Sequence, residues 1–139
     1  MIVIDATDLL VGRMATFVAK AALKGEKVAV VNCENAVISG SKSEVIAKYK
    51  RKKEMGIPSK GPFQPRFPDR FVRRIIRGML PYKKPKGRDA YRRVMCYIGT
   101  PEHLKENDKI TIEAAKVDKL PTLKYIKVED ICKELGYKV

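Results

Sequence analysis

Apolar residues run along this chain in short blocks whose spacing changes from one block to the next. IVIDA (2–6) is a continuous β-branched run ending in a polar turn, which predicts a buried strand. Leu10, Met14, Phe17, Val18 and Ala21 then fall at i, i+4, i+7, i+8 and i+11, the stripe of an amphipathic helix over residues 9–24. Asp8 is its expected N-cap and Gly25 its stop. KVAVVNC (27–33) predicts a second strand and AVIS (36–39) a third, with Glu34–Asn35 as the turn between them, so some antiparallel pairing is open. Ser43 is expected to start the helix SEVIAKYKRKKEM, apolar on one face through Val45, Ile46 and Tyr49 and basic at its end.

The pattern breaks at GIPSKGPFQPRFP (56–68), whose four prolines and two glycines forbid helix and ladder alike, while Phe63 and Phe67 offer rings to bury or stack. Asp69 is expected to cap a third helix reaching Leu80, before Pro81. Pro85 and Gly87 predict irregular chain over Tyr82–Arg88. VMCYIG (94–99) reads as a fourth buried strand. KITIEAA (109–115) alternates, as an edge strand or an extended tail would, and Val128, Ile131, Cys132 and Leu135 mark a short helix closing at Gly136. Strands alternating with helices, without an internal repeat, predict one α/β domain over 1–139. The expected architecture is a three-layer α/β/α sandwich around a small four-stranded sheet, mostly parallel or mixed, with basic extended loops and a C-terminal tail over 116–139.

Charge sharpens this picture. Residues 48–93 hold 17 Lys and Arg against 3 acids, and the other 93 residues hold 13 of each sign, so the whole surplus of +14 lies in one third of the chain. Such a block directs a field toward a polyanion, which solubility alone does not require. In the helix 69–80, Val72, Ile75, Ile76, Met79 and Leu80 form an apolar face. Arg70, Arg73, Arg74 and Arg77 lie opposite, on an arc of roughly 100°. Guanidiniums stacked along one face repel one another, and phosphates relieve that repulsion through bidentate contacts. PYKKPKGR extends the argument: its prolines hold the arm open, Gly87 is expected to admit a phosphate close to the backbone, and Tyr82 and Tyr91 can stack on bases. The alternative, a solvated charged face, must account for three successive elements sharing one sign.

Other chemistry finds little material. One His, no paired carboxylates in the charged zone and no nucleophile beside a base leave nothing for acid–base or acyl-transfer catalysis. His103 reads as a surface loop residue. Cys33, Cys96 and Cys132 are far apart and read as buried, reduced thiols rather than a disulfide framework or zinc site. Ser39–Ser43 (SGSKS) lacks the phosphate-loop spacing, so it suits at most one backbone phosphate at a helix start. Gly12 permits close helix–sheet packing with Arg13 in solvent, or the pair adds a phosphate contact. A nucleotide-using α/β enzyme would need the missing loop. A basic amphipathic helix on a membrane would need more apolar face than the core leaves free, and no run spans a bilayer.

VIDATDLLVGRMA, VVNCENAVISGSK, RGMLP followed by KPKGR, and VMCYIGTP occur in the order found in the universal large-subunit ribosomal protein family numbered thirteen, which the chain resembles over almost its whole length, in its archaeal form. The resemblance implies an α/β/α fold, direct binding of large-subunit ribosomal RNA during early assembly, and no catalytic activity. By motif match, Arg77, Gly78, Met79, Leu80, Pro81, Lys84, Gly87 and Arg88 fall on the RNA-facing helix and arm, and Gly40 and Lys42 on a G-x-K turn. Tyr82 departs from relatives that carry His there, and the zone 50–68 lacks the bacterial form. With the charge pattern, the expected RNA-binding set is Lys42, Lys50, Arg51, Lys52, Lys53, Arg66, Arg70, Arg73, Arg74, Arg77, Lys83, Lys84, Lys86, Gly87, Arg88 and Arg92. The expected partners are large-subunit rRNA and neighbouring large-subunit ribosomal proteins. No cofactor, metal, membrane or small-molecule substrate is expected, and the free chain is expected to be a cytoplasmic monomer. Neutralising Arg73, Arg74 and Arg77 is expected to weaken rRNA binding with thermal stability nearly intact.

Overall fold

The structure, a computed structural model, describes residues 1–56, 59–61, 63–121 and 124–137. Ile57, Pro58 and Pro62 of the proline-rich loop and Thr122, Leu123, Lys138 and Val139 of the tail lie outside the described residues. Four short strands make one parallel sheet in the order β4-β2-β1-β5: β1 (Ile2–Asp5), β2 (Val28–Val31), β4 (Val94–Cys96) and β5 (Lys109–Ile110). The predicted mixture of directions is resolved. The antiparallel pairing expected after Glu34–Asn35 does occur, but not with β2. β3 (Val37–Ser39) instead pairs with β6 (Tyr125–Lys127) in a separate two-stranded sheet.

Register decides what each face buries, because side chains alternate along a strand. Ile4, Val30 and Cys96 stand in one row, facing the main core. Val3, Ala29 and Met95 stand in the next, on the opposite face. All five helices contribute to the main core: α1 (Val11–Leu23), α2 (Lys42–Glu54), α3 (Pro68–Gly78), α4 (Pro85–Arg93) and α5 (Val128–Glu134). The second face is thinly covered by Leu104, from a short 3-10 turn at Glu102–Leu104, with Tyr97 at its margin. The class is α/β as expected, but its third layer is a turn rather than helices.

The helix ends show which local rules won. Asp8 does not cap α1: it takes a left-handed φ of 59°, while Leu9 and Leu10 are held as isolated bridges to Lys116 and Val37. The helix therefore starts at Val11, after a backbone pinned by Leu10 N–H on the Ala115 carbonyl at 2.7 Å. Its end follows the sequence. Gly25 has φ +99°, its N–H bonds the Ala22 carbonyl and that of Glu26 the Ala21 carbonyl, the paired bonds of a Schellman stop. Asp69 likewise is not the cap of α3. Pro68 takes the first helical position, where its missing N–H costs nothing, and the Asp69 carboxylate accepts from the N–H of Arg70.

The largest departure is α4. Residues expected to be irregular form a helix that starts at Pro85. Proline suits that place, and the following glycine is needed for packing: a Cβ on buried Gly87 would lie 1.9 Å from the Pro81 carbonyl oxygen. Gly87 thus admits the protein's own backbone rather than a phosphate. At Gly12, by contrast, a Cβ would meet nothing within 4 Å, so close helix–sheet packing is not what that glycine provides. Arg13 reaches the Ala114 carbonyl at 3.2 Å. The three cysteines are free and buried. No described helix is long and apolar enough to cross a membrane.

Candidate nucleic-acid interface

The basic segment begins on the last turns of α2, whose inward residues are Val45 and Tyr49. Lys53 donates to the Leu135 carbonyl at 2.7 Å, closing the C-terminal end of α5, where a cation suits the helix dipole. Lys50 pairs with Glu134 at 3.3 Å, both side chains about half exposed, which contributes little to stability. Arg51 and Lys52 face solvent, Lys52 with its ammonium 5.1 Å from the Tyr49 ring centre.

On α3 the four arginines divide by angle. Arg73 lies roughly 20° beyond Leu80 around the helix, at the edge of the apolar stripe rather than opposite it. Its guanidinium turns inward, donating to the carbonyls of Val94 at 2.9 Å and Tyr91 at 3.0 Å and stacking 3.9 Å from the Tyr91 ring centre. It joins α3 to the start of edge strand β4. Arg77 lies 4.5 Å over Tyr82, its Nε buried with no hydrogen-bond partner among the described residues. Arg74 donates to the Phe63 carbonyl at 3.3 Å, tying the proline-rich loop to the helix. Arg70 is exposed, and Met79, expected on the apolar face, is 43% exposed.

The turn from Tyr82 to Lys84 leads into α4, and Arg88 braces it by donating to the carbonyls of Lys83 at 2.9 Å and Tyr82 at 3.3 Å. Arg92 pairs with Asp89 at 3.6 Å on the surface. Arg93, outside the expected set, donates to the Ala22 carbonyl at 2.9 Å and closes the end of α1. Lys83, Lys84 and Lys86 point into solvent.

The expected set thus separates in three. Lys53, Arg73, Arg88 and Gly87 hold the protein together, and Arg74 anchors a loop. Lys50 and Arg92 sit in surface ion pairs, and Arg77 stacks on Tyr82. Lys42, Arg51, Lys52, Arg66, Arg70, Lys83, Lys84 and Lys86 are exposed, with no side-chain hydrogen bond or ion pair among the described residues. Lys48 and Lys60 are exposed cations that sequence reasoning counted but did not assign. Four of the basic residues converge. Lys53, Arg66, Arg70 and Arg74, with Phe63, Gln64, Pro65 and Phe67, line an open cleft of about 570 Å³ where the end of α2, the loop and the start of α3 meet. Lys83, Lys84 and Lys86, on the turn and the start of α4, lie beyond the other end of α3, on the order of 16 Å along its axis.

The SGSKS stretch does not make a phosphate loop. Gly40 has φ +126°, and its N–H is already bonded to the Lys124 carbonyl at 3.0 Å. At the end of β1, Asp5 is a structural carboxylate. Partial burial pushes its pKa up, but hydrogen bonds from the N–H and hydroxyl of Thr7 and from Asn32, with the Lys109 charge, outweigh burial and leave it below the ordinary value.

Comparison with known proteins identifies the family. The model of the family described as Ribosomal protein L13 matches residues 1–103. Proteins named large ribosomal subunit protein uL13 are similar over nearly their whole length. That of Methanocaldococcus jannaschii is 46% identical over 142 residues, and that of Methanosarcina barkeri 45% over 139, each alignment covering 99% of both chains. That of Methanopyrus kandleri is 43% identical over 139 residues, covering 99% of this chain and 87% of its own. A cationic face on an α/β body, and likeness of this extent, place the chain in the ribosomal protein L13 family.

Proposed function

We propose that this chain is a non-catalytic constituent of the large ribosomal subunit that binds large-subunit rRNA and supports early subunit assembly. The observation that carries the reading is the set of eight exposed cations without a side-chain hydrogen bond or ion pair among the described residues, Lys42, Arg51, Lys52, Arg66, Arg70, Lys83, Lys84 and Lys86, on a chain of this family. Charges left without internal partners are free to displace counterions from a phosphate backbone, which supplies most of the affinity in such complexes. The folded body sets the spacing of α2, α3 and the start of α4, so that the shape of a folded RNA rather than its base sequence is matched. Lys53 and Arg73 act one step back, by holding those elements in place. Neighbouring ribosomal proteins are the expected second class of partner.

The test is binding of the full chain to a large-subunit rRNA fragment, paired with sedimentation of the native protein from cell extract. Replacing Arg51, Arg66, Arg70 and Lys84 together with Gln is expected to weaken binding by at least an order of magnitude while the thermal midpoint stays within a few degrees. Unchanged affinity in that variant, or a native protein that never travels with large subunits, would refute the assignment.

A further inference from the structure

The cleft between the end of α2, the proline-rich loop and α3 has a composition that a plain phosphate clamp does not need. Its volume of about 570 Å³ falls in the range of small-ligand sites, and its lining holds four cations and no carboxylate. Within it Phe63 is 64% exposed as a residue, leaving apolar surface in water beside guanidiniums. The ring lies beside Gly61, where an added Cβ would sit 2.9 Å from its Cδ2, and Arg74 donates to the Phe63 carbonyl from α3. Phe67, four residues on, is already occupied, packed edge-on against Tyr137 at 5.5 Å with Arg66 and Arg70 near its ring. Gln64 adds an amide that both donates and accepts.

We propose that this cleft seats one unpaired RNA nucleotide, its base stacked on Phe63, its edge met by Gln64 and its phosphate held by Arg66 and Arg70. The proposal rests on the RNA-binding reading and adds a subsite to it. An aromatic face beside cations suits a splayed-out base, because paired bases in a duplex are already stacked and cannot reach it.

The chain has no tryptophan, so Phe63→Trp creates a unique reporter. A short single-stranded oligoribonucleotide is expected to quench its emission, and a blunt RNA duplex to bind without quenching. Phe63→Ala, at an exposed site, is expected to keep the wild-type thermal midpoint, bind the duplex normally and bind the single strand about 10-fold more weakly. If both RNAs bind, the emission is unmoved and Phe63→Ala matches wild type, the subsite is overturned while RNA binding stands. Failure to bind either RNA overturns both readings. Equal quenching by free adenosine monophosphate at the same concentration overturns the assignment to RNA in favour of a free nucleotide.

Discussion

A methyl group at position 87 would meet the Pro81 carbonyl carbon at 2.2 Å and its oxygen closer still, both backbone atoms that no side-chain rotation can clear. Gly87→Ala must therefore move the start of α4 away from the preceding turn. The expected loss is about 1–3 kcal/mol, read as a lower thermal midpoint. Asp5 gives a second prediction at this scale. Its pKa is lower folded than unfolded, so its contribution is present above the unfolded value and is lost as pH falls through the folded one. Acid unfolding of Asp5→Asn is expected to be less steep below about pH 4 than that of the wild type. Neither role was legible from composition. Proline and glycine two positions apart signal irregular chain, and only the nearness of Pro81 reveals that they open a helix. Asp8 misled for the converse reason, because Leu9 and Leu10 bridge to distant backbone at Lys116 and Val37 and so delay the helix its side chain could have capped.

At the scale of elements, the apolar stripes of α1 and α3 and the β-branched runs of β1, β2 and β4 were readable because each buries a face of fixed period. Strand order was not, since parallel partners are chosen by crossovers rather than by local pattern. β5 realises the edge-strand alternative held open for 109–115, though over two residues only, while β6 spans three, too short for alternation to distinguish it from loop. The arginines of α3 show the same limit. Periodicity placed all four on one outward face, while a long side chain at the margin can turn in. Arg73→Gln is expected to lower stability by about 1.5–3 kcal/mol, the range for hydrogen bonds to a charged group, whereas Arg70→Gln should leave the thermal midpoint unchanged. The expectation that neutralising Arg73, Arg74 and Arg77 spares stability therefore does not survive the geometry of Arg73. Thermal melts of the two single variants, beside RNA titrations, separate brace from contact.

For the whole molecule, formal charge overstates what a polyanion meets. The eight exposed cations of the expected set that lack a side-chain partner among the described residues, rather than the +14 of the sequence, set the expected slope of log affinity against log salt at about −6 to −7. Titration across ~50 to 200 mM salt should then lose about four decades, and a slope near zero would contradict phosphate binding. The thiols report on the same body. Burial first, with Asp69 nearby, pushes the Cys132 thiol up to about 12, and Cys33, beside Cys96, is also raised well above its ordinary value. Native protein should react slowly with a thiol reagent, and denatured protein should expose three sites. Segregated charge and the periodic apolar positions of the main core made the general character visible in the sequence. The convergence on Phe63 was not, because it depends on where a loop with four prolines folds back.

The strand-and-helix segment from Tyr125 to Glu134 fills the space beneath α3 and α2, with Ile131 and Cys132 wholly enclosed. Translation runs from the N-terminus, so every surface this plug seals is made before the plug exists. A nascent chain halted at Leu120 is expected to remain open and protease-sensitive, with its acquisition of a closed interior timed by the emergence of residues 125–134 rather than by the length already exposed.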